Sequence, residues 1–304
     1  MNARDWLAAG TGSSLDVAVL GAPISRASIS PSEAWATPPA FRDALRRYHT
    51  WDGSSGSDLM ALRVGDLGDV AGDQADADAG AAHARIRDAV ARAAERASLV
   101  VVIGGDNSLT RPAMQGMMDH DSGREWGLLT FDAHHDCRPA DEGPRNGTPV
   151  RELIEGGVPG PRVAQVGINP FGNEREHARW AAAQGVHAYP LDEVRRLGVE
   201  TAVTLALDAM ERAGANALYV DVDLDVVERA CAPACPASLP GGLSPHELLR
   251  GVGRALSDPR VRAVDLTEVD ARADVAEVTV RLMAAVFVTA CSTFALRASS
   301  TGVP

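Results

Sequence analysis

The stretch GLLTFDAHHD, residues 127–136, joins five near-continuous apolar residues to a short run of acids and histidines. Such a run, with almost no polar alternation, suits a strand covered on both faces, as in the interior of a parallel sheet. Asp132, His134 and Asp136 follow it at alternate positions. Alternate side chains of an extended segment point the same way, so these three can converge.

Working outward, the same pattern recurs. Strand-like runs are read at residues 15–21, 99–103, 127–131, 162–167, 217–222 and 261–266, and helical patterns at 77–97, 199–213 and 275–290. Ser244, Pro245 and Glu247 form a cap, a first helical residue and a capping-box partner, which opens a further helix. Strand and helix alternating from end to end predict an α/β fold with a mainly parallel sheet and helices on both faces. No linker, repeat or shift in composition divides the chain, so one domain over residues 1–304 is expected. Loops 25–39 and 139–149, rich in Pro, Ser and Gly, each follow a predicted strand, where open α/β sheets place ligands.

The 304 residues, 45% of them hydrophobic, are enough to bury a large core. A formal charge of −12 argues against nucleic acid, which needs clustered Lys and Arg, and favours a small-molecule partner. Carboxylates gathered to hold cations contribute to such a charge. The N-terminal MNARDWLAAGTG lacks a secretory signal's basic and apolar regions, and the apolar run at 282–291 is too short to span a bilayer. A cytoplasmic protein that does not enter membranes is expected. Cys137, Cys231, Cys235 and Cys291 are too few for a disulfide scaffold in so long a chain and read as ordinary thiols.

Three clusters lie at or just past strand ends: Gly104-Gly105-Asp106-Asn107-Ser108, Asp132 to Asp136, and Asp221 to Asp225. In a parallel sheet these ends share one rim. Asp132, Asp136, Asp223 and Asp225 with His134 then make four carboxylates and an imidazole in one pocket. Carboxylates that close repel one another unless multivalent cations compensate them, and two divalent ions supply about the right charge. An oxygen-dominated donor set suits manganese. A single Asp after a strand often only caps a helix or makes a turn. The pairing of D-x-H-x-D with a later D-x-D points instead to a metal site.

With its GGD-x-S loop (Gly104 to Ser108), DAHxD motif (Asp132 to Asp136), D-x-D motif (Asp223, Asp225) and Gly241-Gly242-Leu243, the chain from Val17 to Glu268 resembles the ureohydrolase superfamily of arginases, agmatinases and formimidoylglutamases. The resemblance implies a three-layer α/β/α fold and a dinuclear manganese centre held by Asp132, His134, Asp136, Asp223 and Asp225. Asn107 stands where most relatives have a histidine ligand; it would offer an amide oxygen and leave one ion more weakly held. Glu268, in DLTEVD, matches the acid that contacts the substrate's nitrogen-bearing carbon group.

His135, Cys137-Arg138, Asn146-Gly147-Thr148-Pro149, Ala232-Pro233-Ala234-Cys235-Pro236 and the loop from Ser25 to Ser30 look most like formimidoylglutamases. The implied reaction is manganese-dependent hydrolysis of N-formimidoyl-L-glutamate to L-glutamate and formamide, a step of histidine degradation. Arg138, Arg145, Arg151 and Asn146 are the expected substrate-binding residues, since an Arg fork can engage a carboxylate bidentately. Asn146 replaces a histidine thought to shuttle protons in arginases, which leaves Asp136 or a metal-held water to protonate the leaving group. Two alternatives accompany this reading: another ureohydrolase acting on a guanidino compound, and a catalytically silent relative that only binds. Self-association into a homo-oligomer is compatible with either. His49, His83, His120, His177 and His187 lie away from the clusters and read as structural or surface residues, and His135 is expected to face away from the ligand side.

Overall fold

The structure is a computed structural model that describes residues 1–10, 12 and 14–300. Residues 11, 13 and 301–304, which the single-domain expectation includes, lie outside the described residues. Among the described residues eight strands pair in parallel: β1 (Leu15–Ala22), β2 (Val64–Asp69), β3 (Ala97–Gly104), β4 (Trp126–Phe131), β5 (Val163–Ile168), β6 (His187–Pro190), β7 (Ala217–Asp223) and β8 (Val261–Thr267). Their order is β2-β1-β3-β8-β7-β4-β5-β6.

The near-continuous apolar strands divide their side chains between two cores. Val17, Val19, Val101 and Ile103 face one layer, and Ala18, Leu20, Val100 and Val102 face the other. The first layer is built by α1 (Ala3–Ala9), α2 (Thr37–Ala44), α7 (Leu191–Leu197), α8 (Val199–Arg212), α9 (Pro245–Leu256) and α10 (Val278–Ser300). The second is built by α3 (Gly80–Ala94), α4 (Thr110–His120), α5 (Pro149–Glu155) and α6 (Arg175–Gln184). The result is the expected three-layer α/β/α sandwich, and Ser244 closes the expected capping box on α9.

The strands β2 and β6 are not anticipated by the sequence. Both are sheet edges: β2 (VGDLGD) carries glycines and aspartates that read as turn residues, and β6 (HAYP) has four residues and ends in proline. The helix α3 is shorter than the expected 77–97, since its last predicted residue, Ala97, already belongs to β3. The helix α10 runs past the expected residue 290 because the apolar pattern continues through Phe294 and Ala295. Its Val278–Arg297 portion is long and apolar enough to cross a bilayer, but 67% of that stretch is buried inside the protein, where α10 packs on α9 and α2.

Strands β3, β8, β7 and β4 are neighbours at the sheet centre, where the chain order reverses. Their C-terminal ends therefore open onto one crevice, the ligand position of such sheets.

Candidate metal centre and substrate pocket

Each acidic cluster is set by a short turn that the aspartates themselves make. The Asp132 Oδ1 accepts the His134 amide at 2.6 Å, and the Asp223 Oδ1 accepts the Asp225 amide at 2.8 Å. The Ala133 amide donates to the Asp225 Oδ1 at 3.2 Å, which joins the end of β7 to the end of β4. His134 Nδ1 lies 2.9 Å from Asp225 Oδ2 and 3.6 Å from Asp132 Oδ1. Asp132, His134 and Asp225 can each bring one donor atom within 4.8 Å of the others. Asp136 and Asp223 line the same pocket as His134 and Asp225.

The donor set fits divalent cations. The Asp132 Oδ2 is buried with no hydrogen-bond partner, a costly state unless a cation or proton meets it. Burial, then the neighbouring Asp225, pushes Asp132 up to about 6. Burial and the adjacent carboxylates hold Asp136 and Asp223 well above the usual range. Burial works on Asp225 in the same direction, but His134 holds its carboxyl below its ordinary value. Asp225 in turn pushes His134 up to about 12. Protons thus take the place that cations would hold, and cations would release them.

Glu268, just past β8, donates its backbone amide to the Gly105 carbonyl at 2.9 Å. Its Oε1 accepts the Asn107 amide at 2.7 Å and the Asn146 side-chain nitrogen at 2.9 Å. Burial, with Asp106 nearby, raises Glu268 to about 8. Asp136 (φ 50°) and Glu268 (φ 62°) are two of the four non-glycine residues with left-handed backbone among those described. Such strain persists only where the surroundings enforce it, and it concentrates at functional sites.

Asn107 is oriented otherwise than expected. Its carboxamide oxygen accepts the hydroxyls of Thr110 and Thr267, each at 2.9 Å, and its nitrogen donates to the Asp136 Oδ2 at 2.7 Å. The oxygen is therefore occupied by two hydroxyls, and Asn107 acts here on Asp136.

The sequence model of the arginase family matches residues 15–292. The chain belongs to the arginase family. It is 34% identical over 270 residues to the formimidoylglutamase of Halalkalibacterium halodurans, which covers 88% of this chain and 83% of that protein. The structure of formimidoylglutamase from Bacillus subtilis superposes with a TM-score of 0.87 at 29% identity, over 94% of this chain and 89% of that one. A formiminoglutamase from Trypanosoma cruzi, solved with Mn2+, shares the fold with a TM-score of 0.83 at 24% identity, over 92% and 93% of the two chains.

The arginase-family scaffold distributes the expected arginines unequally. Arg138 lines the pocket beside His134 and Asp136. Arg145 is exposed on an adjoining outer cavity. Arg151 turns away, paired with Glu155 at 2.7 Å and stacked 4.9 Å from the Trp180 ring, so the expectation that it meets substrate does not match its position.

Residues beyond the expected ligands position this arginase-family site, and two of them, Asp73 and Asp265, escape the sequence reading. The Asp106 Oδ2 accepts the Ala27 amide at 3.2 Å and the Asp73 Oδ2 accepts the Ser25 amide at 2.9 Å, which anchors loop 25–39 against the rim. Asp106 was legible as part of the GGD-x-S loop, whereas Asp73 had no local signal. Beneath the rim Asp221 and Asp265 are paired in register across β7 and β8; burial, then Asp265, holds Asp221 well above the usual carboxylate range, and burial pushes Asp265 up to about 6. The His135 Nδ1 meets the Gln165 Oε1 at 2.7 Å, away from the carboxylates.

Proposed function

We propose that the chain is a manganese-dependent hydrolase of N-formimidoyl-L-glutamate, releasing L-glutamate and formamide. The observation that carries this is one pocket with acidic residues and His134 at its depth and the Arg138 guanidinium on its wall. That polarity matches a substrate with an amidine-type carbon at one end and carboxylates at the other. The formimidoylglutamases of Halalkalibacterium halodurans and Bacillus subtilis, which match 88% and 94% of the chain, act on such a compound by name.

Asp132, His134, Asp136, Asp223 and Asp225 are the residues that would hold two manganese ions, an oxygen-rich set that manganese tolerates well. When bound, these ions supply Lewis acidity and lower the pKa of a water toward neutrality. Glu268 faces the nitrogen-bearing carbon and is fixed there by Asn107 and Asn146. Asp136, which lines the pocket beside His134, or a metal-held water would pass the proton to the departing α-amino group. Arg138 and Asn146 contact the glutamate portion, with Arg145 at the outer mouth. Residues 1–304 are taken as one catalytic domain, supported by the continuous sheet. Four free cysteines suit a cytoplasmic setting.

The test is turnover of N-formimidoyl-L-glutamate by manganese-loaded protein, beside agmatine and a panel of guanidino acids. Formamide and glutamate released from the first compound alone support the proposal. Preferred turnover of a guanidino acid replaces it with the related guanidino reading.

A further inference from the structure

The inner pocket and the outer cavity meet at a throat. Ile29, Arg138 and His177 line both spaces. His177 lies in the first turn of α6, with its backbone amide bonded to the Glu174 carbonyl at 3.1 Å. Its half-buried imidazole has no hydrogen-bond partner among the described residues, although it stands beside a guanidinium and faces a polar pocket. The neighbouring polar side chains are partnered: His83 bonds Ser108 at 2.8 Å, His135 bonds Gln165, and Asn146 bonds Glu268 and the Ile29 amide.

The charges along the path tell where a carboxylate can rest. The inner end is lined by Asp136, Asp223 and Asp225, and the outer cavity by Asp141, Glu142, Glu174 and Glu176. A dicarboxylate is repelled at both ends unless cations or donors meet it. Between them stand Arg138 and His177. The one anionic partner of Arg138, Glu174, is 3.8 Å away and exposed, too loose to satisfy a guanidinium fork.

We propose that His177 is a specificity-determining residue that donates a ring N–H to the side-chain carboxylate of the substrate, while the neighbouring Arg138 meets the same carboxylate. Burial and the nearby Arg138 hold the ring of the free protein below its ordinary pKa, and a neutral ring already carries the N–H that the contact needs. The proposal rests on the functional reading above and deepens it by assigning the discrimination between a glutamate-derived substrate and a compound without the distal charge.

The experiment compares wild type, His177→Ala and His177→Gln, each loaded with manganese, on N-formimidoyl-L-glutamate and on N-formimidoyl-L-glutamine, whose distal group is neutral. A hydrogen bond to a charged group is worth roughly a tenfold change or more in affinity. His177→Ala should therefore raise KM for the glutamate compound about tenfold with kcat nearly unchanged, and raise KM for the glutamine compound by several-fold less, since a bond to a neutral amide is weaker. His177→Gln, which keeps an N–H, should recover part of the loss. Calorimetric titration with L-glutamate should show the same ranking, and coincident melting curves exclude a folding defect. Unchanged KM in His177→Ala, or an equal rise for both compounds, overturns the proposal while wild-type turnover still upholds the activity. A wild type inactive on both compounds overturns the activity itself and this proposal with it.

Discussion

Asn146 bridges Glu268 and the backbone of loop 25–39: its nitrogen donates to Glu268 Oε1 at 2.9 Å while its oxygen accepts the Ile29 amide at 3.0 Å. One side chain therefore fixes Glu268, at the end of β8, to loop 25–39, more than a hundred residues away in sequence. Asn146→Ala should lower kcat/KM by about tenfold to a hundredfold, since a bond to a carboxylate is worth roughly 1.5–3 kcal/mol. Asn146→Asp should cost more, because it sets a second carboxyl where Glu268 accepts an N–H. Steady-state kinetics on both variants decide this, and wild-type rates in either would remove Asn146 from the site.

On the proposed function, the carboxylate cluster ties metal binding to activity. Asp132→Ala and Asp223→Ala should each abolish turnover and lower the manganese bound per chain, read by elemental analysis after gel filtration. Retention of both metal and activity in either variant would end the metal-centre assignment for that residue.

The orientation of Asn107 leads to a separate expectation. With its oxygen held by Thr110 and Thr267, it adds no donor atom, so part of the manganese should exchange readily and activity should rise when the metal is added. Asn107→His should saturate at a lower manganese concentration, provided the new ring keeps the contact to Asp136. Titration of both proteins, followed by activity and calorimetry, gives the comparison. Equal saturation curves would show that this position does not influence the ions.

Arg138 and Arg151 sit thirteen positions apart in sequence, yet the structure gives them opposite expectations. Arg138→Ala should raise KM for the formimidoyl substrate by about tenfold. Arg151→Ala should leave KM unchanged and cost on the order of 1 kcal/mol of stability through its lost contacts with Glu155 and Trp180. Kinetics and urea denaturation of the pair separate binding from packing, and a KM effect in Arg151→Ala would contradict its observed position.

The arginine and histidine assignments mark where sequence reasoning reached its limit. Strand interiors were legible because doubly covered strands carry long apolar runs, and with them came the rim that gathers Asp132, His134, Asp136, Asp223 and Asp225. Edge strands were not, since β2 and β6 bury only part of their surface. Arg151 looked equivalent to Arg138 because spacing cannot tell which way a side chain on α5 turns. His177 was set aside as a surface residue because only the tertiary path of α6 brings it to the throat.

His83, also read as structural, is buried and hydrogen-bonded to Ser108 and Arg111. Burial, then Arg111, pushes it down to about 4 from an ordinary 6.5. The unfolded chain therefore binds a proton before the folded one does. The stability His83 contributes is complete above about pH 6.5, declines below it, and is lost as pH falls through about 4. His83→Gln should be less stable than wild type at pH 7, and the gap should narrow toward pH 4. Urea midpoints of both proteins across that range test it; a constant gap would mean that His83 does not titrate as described.

The left-handed backbone at Asp136 and Glu268 bears on how this protein could be made heat-resistant. Each residue holds a conformation that glycine adopts freely, at an expense of roughly 1–3 kcal/mol. A laboratory selection for survival on heating, run without an assay for chemistry, would therefore reward glycine at two positions to which the proposed function assigns the chemistry. Its winners would be sturdier proteins with nothing left to do.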